Sequence, residues 1–492
     1  MSFAKLFSFS TAALLVRSLA SAELTPYTGT PPALPENRAP FSYGSLTTGG
    51  SAADPSAVFL VDNMPDLRTV LAMDSPRTVY IQGNITGNEI TSAKDGGTYA
   101  DCQWYIDNSP SKQFNFTRYV MSLNESYMDS VKLESEKGGT VEGMDATEYL
   151  ELLKRMNGWR PRVQNTQKEW VSINVKSDLT LIGMDGDAYL NGVSLIFNLA
   201  DNVIIRNLKL SPPQDCFPAP EGSTSWNARY DALSLVTSTN FWVDGNTLFD
   251  GPNPTGPEPL IWDHKVDRYD GLMDAEDGSD NITFSHNIVG EHHKSLLLGG
   301  GLAERARSLG KMRFMFFGNW FSNSASRNPL MRFGTFYVLN NLFTHEGAST
   351  APYRSDFEYN LGVYTESHVV VGGNVFQNAV NGSDTGIFKY STLLDATTPA
   401  RLCIPASETD LPEGLQGLGG PSSLNGAEVD LKKDAEATFE RALADPTNVV
   451  AGGLEISCAG FSPQEVPVTL STPEEVEAYV KKEAGQMTGG GS

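Results

Sequence analysis

The feature that most constrains the fold is an apolar run ending in asparagine that recurs along the middle of the chain. Each copy consists of a few Val, Ile, Leu or Phe residues closely followed by Asn, at Asn207, Asn246, Asn287, Asn319, Asn341 and Asn374. The copies lie 22 to 41 residues apart. A shortest interval near 22, with longer intervals taken up as loops, is typical of a parallel β-helix, in which each coil adds strands to stacked sheets. We expect the asparagines to stack at one turn and to hydrogen-bond along the stack.

The alternative is a β-sandwich, in which the asparagines would mark hairpin turns. In places these strands are apolar on both faces, and two-residue hairpin turns are scarce, which favours the β-helix. We therefore predict an all-β fold, a single-stranded right-handed parallel β-helix with its coils over about 170–395. An N-terminal cap and loop pack covers about 50–170, and a partly helical extension covers about 395–492.

Helical patterns are few. We expect helices over Pro65–Met73, Asp145–Met156, 428–444 and 472–486, the last with a capping box from Thr472 to Glu475.

The N-terminus has the pattern of a secretory signal peptide over residues 1–22. Lys5 precedes an apolar run, and small residues end the segment at Ala22. No later apolar run approaches the ~18 to 20 residues that span a bilayer, so we expect no membrane partner. The mature chain, residues 23–492, is predicted to be one soluble, secreted, extracellular domain and a monomer.

The charge balance and the cysteines agree with that location. The net charge is -23, and removal of the segment with Lys5 and Arg17 makes it more negative, which disfavours nucleic acid as a partner. Four cysteines allow three disulfide pairings, of which we predict Cys102–Cys216 and Cys403–Cys458. Glycosylation sequons begin at Asn84, Asn115, Asn124, Asn281 and Asn381.

Three acidic residues fall into register when they are counted from the repeat asparagines. Asp231 lies 15 residues before Asn246. Asp274 and Asp270 lie 13 and 17 residues before Asn287. In stacked coils Asp231 would therefore fall between the other two, one rung or about 4.8 Å away.

Two cations follow the same counting. Lys294 lies 7 residues after Asn287, and Arg327 lies 8 residues after Asn319. We therefore expect Lys294 and Arg327 on adjacent rungs, facing the acids.

Three carboxylates with backbone oxygens and water are suited to Ca²⁺, which takes roughly six to eight hard oxygen ligands. Along a straight strand Asp270 and Asp274 would lie about 13 Å apart. We therefore expect a bend at Gly271, or a position of Asp270 on the turn before the strand.

With these motifs the chain resembles the pectate lyases of polysaccharide lyase family one, in a secreted, fungal-type form. The resemblance covers about Thr78 to Phe376 and rests on NVIIRNL at 202–208, DGLMDAEDGSDNITFS at 270–285, HHKSLLLG at 292–299 and RNPLMR at 327–332. The last stretch fits the family's Arg-x-Pro-x-x-Arg motif. Members of this family are right-handed parallel β-helices that cleave polygalacturonate (pectate) by Ca²⁺-assisted β-elimination.

The resemblance implies a role for each charged residue of the cluster. Asp231, Asp270 and Asp274 match calcium ligands. Lys294 matches the lysine that binds the substrate carboxylate, Arg327 the catalytic base, and Arg332 a second substrate-binding arginine.

The chain also departs from the family pattern. Arg229 stands where the family often has a further aspartate, and Glu276 stands where bacterial members can have lysine. The family's Trp-x-Asp-His element is present only as Phe241-Trp-Val-Asp244-Gly. Calcium affinity and substrate contacts are affected more than the type of reaction.

The residues leave part of the mechanism open. A guanidinium with a pKa above about 12 stays protonated, so Arg327 could be an electrostatic clamp while Lys294 or hydroxide takes the proton. Two other functions also remain: a calcium-independent pectin lyase and a noncatalytic cell-wall polysaccharide-binding β-helix. A β-helix hydrolase is disfavoured because the acids face an excess of cations.

Two further motifs are interpreted as structural. His292 and His293 are adjacent on a strand and point to opposite faces, which disfavours a shared zinc ion. Asp263 and His264 are not accompanied by the G-x-S-x-G motif of a catalytic triad.

Overall fold

The computed structural model describes residues 24–487 except 36–37, 92–95, 222–224, 252–259, 262–263, 347–356, 379–383, 392–397, 408–410, 413, 416–417 and 447–452. The expected signal peptide, the sequon at Asn381, and Asp263 lie outside the described residues. Among the described residues no helix combines the length and the apolarity needed to cross a membrane.

Successive strands of the chain pass in turn through three stacked sheets, so the fold is a parallel β-helix, as predicted. The first sheet contains Val58–Val61, Arg77–Ile81, Leu179–Gly183, Asp201–Arg206, Thr239–Asp244, Asp280–Ser285, Arg313–Phe317, Thr335–Leu339, His368–Gly372, Ala400–Cys403 and Leu454–Ile456. The second contains Asn84–Thr86, Tyr189–Asn191, Lys209–Leu210, Thr247–Leu248, Ile288–Lys294, Trp320–Ser326, Leu342–His345, Val375–Asn378, Ser423–Leu424 and Ala427–Glu428. The third contains Ser172–Val175, Ser194–Asn198, Leu233–Val236, Met273–Glu276, Leu296–Leu298, Leu330–Met331, Leu361–Tyr364 and Phe388–Ser391.

The coils extend beyond the range 170–395 that the asparagines indicate. Val58–Val61 and Arg77–Ile81 already belong to the first sheet, and Ala400–Cys403 and Leu454–Ile456 complete it. The sequence pattern did not include these terminal strands because no repeat asparagine follows them. In the first coil, a long insertion also separates Asn84–Thr86 from the third strand.

Stacked side chains fill the interior because the parallel register brings equivalent positions of successive coils together. The ring centre of Phe343 lies 4.9 Å from that of Phe321 and 4.8 Å from that of Phe376, and all three rings are stacked. These rings are buried in the central apolar cluster. Burial of such aromatic stacks is a major favourable contribution to the stability of the solenoid.

Five of the six repeat asparagines form the expected stack at the turn between the first and second sheets. The amide of each donates to the Oδ1 of the next, at 3.0 Å for Asn246 to Asn287, 3.2 Å to Asn319, 2.9 Å to Asn341 and 3.1 Å to Asn374. All five side chains are buried. An amide carries both a donor and an acceptor, so this stack satisfies its own polar groups.

Asn207 does not join this stack, contrary to the prediction. Arg206 pairs with Asp244, so Asn207 aligns with Gly245 and Leu208 occupies the stacking position. Asn207 takes the left-handed conformation, with φ of 57°, where its coil needs the first turn residue.

Eight helices are present in the described part of the chain, and four of them form an N-terminal insertion. They are α1 Met64–Leu71, α2 Cys102–Asp107, α3 Phe116–Ser122, α4 Glu125–Glu136, α5 Ala146–Val171, α6 Arg305–Ser308, α7 Leu431–Ala444 and α8 Pro473–Glu483. The helix predicted over Asp145–Met156 is present as the first part of α5, but the insertion also holds α2 to α4, which were not predicted. The helix α5 continues through Gly158 and Pro161, two residues that normally indicate a helix end.

Two disulfides link the helical insertion and the C-terminal region to the rest of the fold. Cys102 pairs with Cys216 and joins the helical insertion to the segment after Lys209–Leu210, while Cys403 pairs with Cys458 near the C-terminus. Both predicted pairings are confirmed. Four two-stranded ribbons complete the structure: Glu89–Thr91 with Thr98–Tyr99, Thr140–Val141 with Met144–Asp145, Ala219–Glu221 with Ser225–Asn227, and Leu260–Ile261 with His264–Lys265.

A buried charge cluster, which we call the Asp244 cluster, joins the first sheet to both ends of the chain. Asp244 lies 2.7 Å from His286 Nδ1 and 2.9 Å from Arg206 Nη2, with Arg38 of the N-terminal arm at 3.6 Å. His286 Nε2 in turn lies 2.9 Å from the hydroxyl of Tyr479 on α8. Although burial acts to raise it, His286 and the two arginines hold the pKa of Asp244 well below its usual value.

Candidate active site

The third sheet brings two aspartates together in front of a glycine. Leu233 pairs with Met273, so Asp231, two residues earlier, lies opposite Gly271 and therefore between Asp270 and Asp274, as the spacing predicts. The Gly271 N–H donates to Asp231 Oδ1 at 2.9 Å.

Gly271 is required for this arrangement. A Cβ atom at this position would lie 2.2 Å from Asp274 Oδ1 and 3.0 Å from Asp231 Oδ1. Only glycine therefore lets the two carboxylates approach the same point. Each carboxylate also accepts a hydrogen bond from a neighbouring residue. Asp274 Oδ1 accepts one from the Leu297 N–H at 3.2 Å, and Asp231 Oδ2 accepts one from the Ser234 hydroxyl at 2.5 Å.

The two carboxylates carry unbalanced negative charge. Burial, followed by the charge of Asp270, raises the pKa of Asp231 to about 7. Burial and the charges of Asp231 and Asp270 raise the pKa of Asp274 well above its usual value, which Arg327 only partly offsets. Half-buried, closely spaced hard oxygen donors with surplus negative charge fit a divalent cation of the calcium type.

The third acid is turned toward a lysine. Asp270 Oδ1 accepts a hydrogen bond from Lys294 Nζ at 3.1 Å. Among the described residues, no group of three or more His, Cys, Asp or Glu side chains is gathered as a metal site. Joint binding of one cation by all three acids would require Asp270 to move toward the other two, which would weaken its hydrogen bond with Lys294.

Lys294 and Arg327 lie on adjacent coils. Lys294 ends the strand Ile288–Lys294 and pairs with Ser326, the residue before Arg327. Although burial acts to lower it, Asp270 and Asp267 raise the pKa of Lys294, so Lys294 remains cationic.

The backbone holds Arg327 in an unusual conformation. Its φ is 59°, which is uncommon outside glycine and is often associated with functional sites. Its carbonyl accepts the Leu296 N–H at 2.9 Å, and the next N–H, of Asn328, donates to the Asn360 carbonyl at 2.8 Å. The guanidinium itself donates no hydrogen bond to a described residue, so it is free to contact a ligand.

Arg332 is held more tightly. Its Nη1 donates to the carbonyls of Gly299 at 2.5 Å and Gly300 at 3.2 Å, and its guanidinium lies 5.1 Å from the ring centre of Tyr364. Its Nε is buried with no partner in the described part of the chain. Such an orphaned donor can be satisfied by a ligand oxygen.

All six predicted site residues line one cavity of about 560 Å³. They are Asp231, Asp270, Asp274, Lys294, Arg327 and Arg332, and they share the wall with Glu221, Asn227, Ser234 and Glu276. The five residues counted from the repeat asparagines and Arg332, taken from the family motif, therefore lie together, and their roles stay predictions.

Of the two residues that depart from the family pattern, Arg229 points away from the cavity and Glu276 lines it. Arg229 turns to α5, where its Nη1 donates to Asn165 at 2.7 Å. Glu276 stays in the cavity wall, and burial together with Glu304 and Asp277 raises its pKa. The cavity thus has one acidic flank at Glu276.

Sequence reasoning missed Asp267. Its Oδ2 lies 3.0 Å from His293 Nδ1 and 4.0 Å from Lys294 Nζ. Asp267 follows a long insertion without periodicity, so no spacing indicated it. His292, in contrast, is buried and contacts Asp250 at 2.5 Å, which agrees with separate partners for the two histidines.

A cavity that crosses stacked coils fits a chain-like ligand, and three cations beside the acids fit an acidic one. The fold and the cavity together define a parallel β-helix protein with a binding cavity suited to an acidic, chain-like ligand.

Comparisons with known proteins narrow this class. A family model described as pectate lyase matches residues 161–391. The chain is 28% identical to the pectate lyase of Bacillus subtilis strain 168 over 372 residues, covering 72% of this chain and 81% of that protein. It is 34% identical to pectate lyase A of Dickeya chrysanthemi over 216 residues, covering 43% of this chain and only 54% of that enzyme.

Fungal relatives and solved structures agree. Pectate lyase A of Emericella nidulans is 28% identical over 296 residues, covering 56% of this chain and 79% of the relative. The structure of the thermostable pectate lyase PL 47 superposes with a TM-score of 0.70 at 25% identity, covering 91% of this chain and 97% of that one. The chain belongs to the pectate lyase family and is a polysaccharide lyase. Bacterial and fungal relatives both match, so the family is assigned without a fungal type.

Proposed function

We propose that this protein is a secreted pectate lyase that cleaves α-1,4-linked polygalacturonate by calcium-assisted β-elimination and releases 4,5-unsaturated oligogalacturonides. The observation that carries the proposal is one cavity in which Asp231 and Asp274 meet in front of Gly271 beside the cations Lys294 and Arg327. An acidic substrate requires those cations, and the paired carboxylates require a further positive charge.

Asp231, Asp270 and Asp274 would hold the calcium ion. Bound there, calcium would offset the surplus charge of these acids and polarise a substrate carboxylate. The donor set supports this assignment, because hard carboxylate oxygens are the ligands that calcium takes.

The side chains of the cavity would carry the reaction. The C5 proton of galacturonate is α to the carboxylate, so its removal places further negative charge on that group. Lys294 and Arg332 would donate hydrogen bonds to the carboxylate and stabilise this charge as it develops. Arg327 would accept the proton from C5. The C5–H electrons then form the C4–C5 double bond, and the C4–O bond breaks with its electrons on the leaving oxygen.

The role of Arg327 as the base has one physical cost. A guanidinium is normally protonated near neutral pH, so the base has to act in its neutral form. An electrostatic clamp at Arg327 is the alternative, with the proton taken by hydroxide, or by Lys294 only after it loses the proton that Asp270 and Asp267 hold on it. Arg327→Lys distinguishes the two, because lysine keeps a positive charge and its base strength differs.

We propose that the mature enzyme acts outside the cell, as a monomer. The predicted signal peptide at residues 1–22 and the two disulfides support an oxidising, extracellular location. Pectate is the expected partner, and neither nucleic acid nor a membrane is.

The proposal is tested by the near-ultraviolet absorbance of unsaturated uronides. We expect absorbance to rise with polygalacturonate and calcium, to stop with a chelator and to resume when calcium is restored. An equal rate on highly methylated pectin in chelator would identify a pectin lyase. Binding of polygalacturonate without any product would identify a noncatalytic protein.

A further inference from the structure

We propose that Asp267, held by His293, is the alternate partner of Lys294 and positions it whenever Asp270 turns to a divalent cation. The inference rests on the proposed calcium-assisted function. It assigns a positioning role to two residues outside the six that bind substrate or cation.

The need for an alternate partner follows from the present pairing. Lys294 Nζ lies 3.1 Å from Asp270 Oδ1, and the Lys294 side chain is only 12% exposed. When Asp270 shares its charge with a cation, its hydrogen bond to Lys294 weakens. A nearly buried ammonium with a weakened partner is unfavourable, so a second acid beside Lys294 favours cation binding.

Asp267 is in place to supply that acid. Its Oδ2 lies 4.0 Å from Lys294 Nζ. A shift of about 1 Å would bring the two atoms to the distance of a charge-assisted hydrogen bond. Lys294 would then remain in the cavity and would not follow Asp270 toward the cation.

The orientation of Asp267 is set by its surroundings. His293 Nδ1 lies 3.0 Å from the same Oδ2, and His293 Nε2 lies 3.1 Å from Glu358 Oε1. On the chain, Asp267 follows Val266, which is fully buried in the apolar cluster of the helical insertion. His293 therefore shares Asp267 with Lys294 and limits how strongly Asp267 attracts the lysine.

The test uses calcium binding to the full mature chain, measured by calorimetry without substrate. We expect Asp267→Asn to weaken calcium binding about 3- to 10-fold, because Lys294 then has only Asp270 as a charged partner. Asp267→Glu should restore most of the affinity. The control Asp74→Asn removes one acid from an exposed ion pair with Lys176 and should leave calcium binding unchanged.

His293→Gln provides a change of opposite sign. Glutamine can still donate to Asp267 but carries no charge, so Asp267 attracts Lys294 more strongly and Asp270 becomes freer. We expect calcium binding that is unchanged or about 2-fold tighter, with a raised KM for polygalacturonate and a kcat close to wild type. A structural role alone would weaken calcium binding in both variants.

Measurements on the wild-type enzyme distinguish a failure of the proposed function from a failure of this inference alone. If wild type binds no calcium or forms no unsaturated product, the proposed function fails and the inference falls with it. If wild type is an active calcium-binding lyase and a folded Asp267→Asn binds calcium equally well, the inference alone is overturned. Thermal unfolding of each variant identifies misfolding, and Asp267→Glu then decides between the outcomes.

Discussion

Two aspartate sites of the same solenoid, one fully buried and one half-buried, have opposite charge balance. Asp244, on the first sheet, is surrounded by Arg206, Arg38 and His286, and its pKa is held well below the usual value. Asp231, beside the third sheet, faces Asp270, and its pKa is raised to about 7. Both side chains are held by neighbouring coils, so the difference comes from which charges those coils supply.

The comparison teaches what each site can do. Cations of the chain itself balance Asp244, so it joins the N-terminal arm and α8 to the sheet and strengthens the fold. The pair of Asp231 and Asp274 lacks such balance, so its carboxylates cost stability until a cation arrives from outside. A buried acid with its own counterions is structural, whereas half-buried acids without them form a binding site.

The variant with the largest expected effect is Asp274→Asn, which removes one charge from the unbalanced pair. We expect about a 10³-fold loss of kcat/KM on polygalacturonate, because a charged cation ligand is lost from the reacting site. In chelator the same variant should unfold at the same or a higher urea concentration than wild type, since repulsion with Asp231 is removed. A clear loss of stability without calcium would contradict the assignment of surplus charge.

Asp244→Asn tests the other site, where we expect stability and not activity to change. We expect a loss of about 3 to 5 kcal/mol in the free energy of unfolding, because Arg206 and His286 remain buried with a weaker partner. The measurement is urea unfolding, with activity of the folded fraction as the control. Activity close to wild type in that fraction would separate the Asp244 cluster from the reaction.

The two sites should also respond to pH with opposite sign in calcium-free protein. The folded pKa of Asp244 is depressed, so its contribution to stability is present above its unfolded pKa and is lost as pH falls through the folded one. The folded pKa of Asp231 is raised, so its contribution is fullest below its unfolded pKa and is lost as pH rises through about 7. Unfolding in chelator from about pH 2 to 8 covers both slopes, because the Asp244 slope lies below its unfolded pKa of about 4.

Asn variants assign these slopes to their groups. Asp231→Asn should flatten the decline between pH 4 and 7, and Asp244→Asn should flatten the loss on the acidic side. A decline toward pH 7 that persists in Asp231→Asn would assign it to another carboxyl with a raised pKa, either Asp274 or Asp215, whose pKa burial raises to about 6.

The smallest expected effect concerns the acidic flank of the cavity. Glu276 repels a substrate carboxylate near it, so Glu276→Lys should raise kcat/KM on polygalacturonate relative to partly methylated pectin by about 3- to 10-fold. The matched neutral variant Glu276→Gln should give a smaller change in the same direction. An unchanged ratio in both variants would mean that no substrate carboxylate passes this flank.

Sequence reasoning reached the coils and five of the charged residues because both follow the repeat, whereas Arg332 came from the resemblance of RNPLMR to a family motif. It misplaced Asn207 by one position, since asparagine suits the stacking position and also the left-handed turn position before it, as at Asn340 with φ of 55°. It missed Asp267 and most of the helical insertion, because insertions have no period and their contacts depend on how they fold back on the coils.

The stacked amides have a consequence for how such a chain can vary. In the five coils with Asn246, Asn287, Asn319, Asn341 and Asn374, two residues connect the first sheet to the second, and the second of them is the asparagine. An extra residue there would leave two neighbouring amides without their partners. The connection from the second sheet to the third has no such limit and ranges from one residue, Ser295, to the whole helical insertion. New substrate preferences can therefore evolve by lengthening one side of each coil while the opposite corner stays constant.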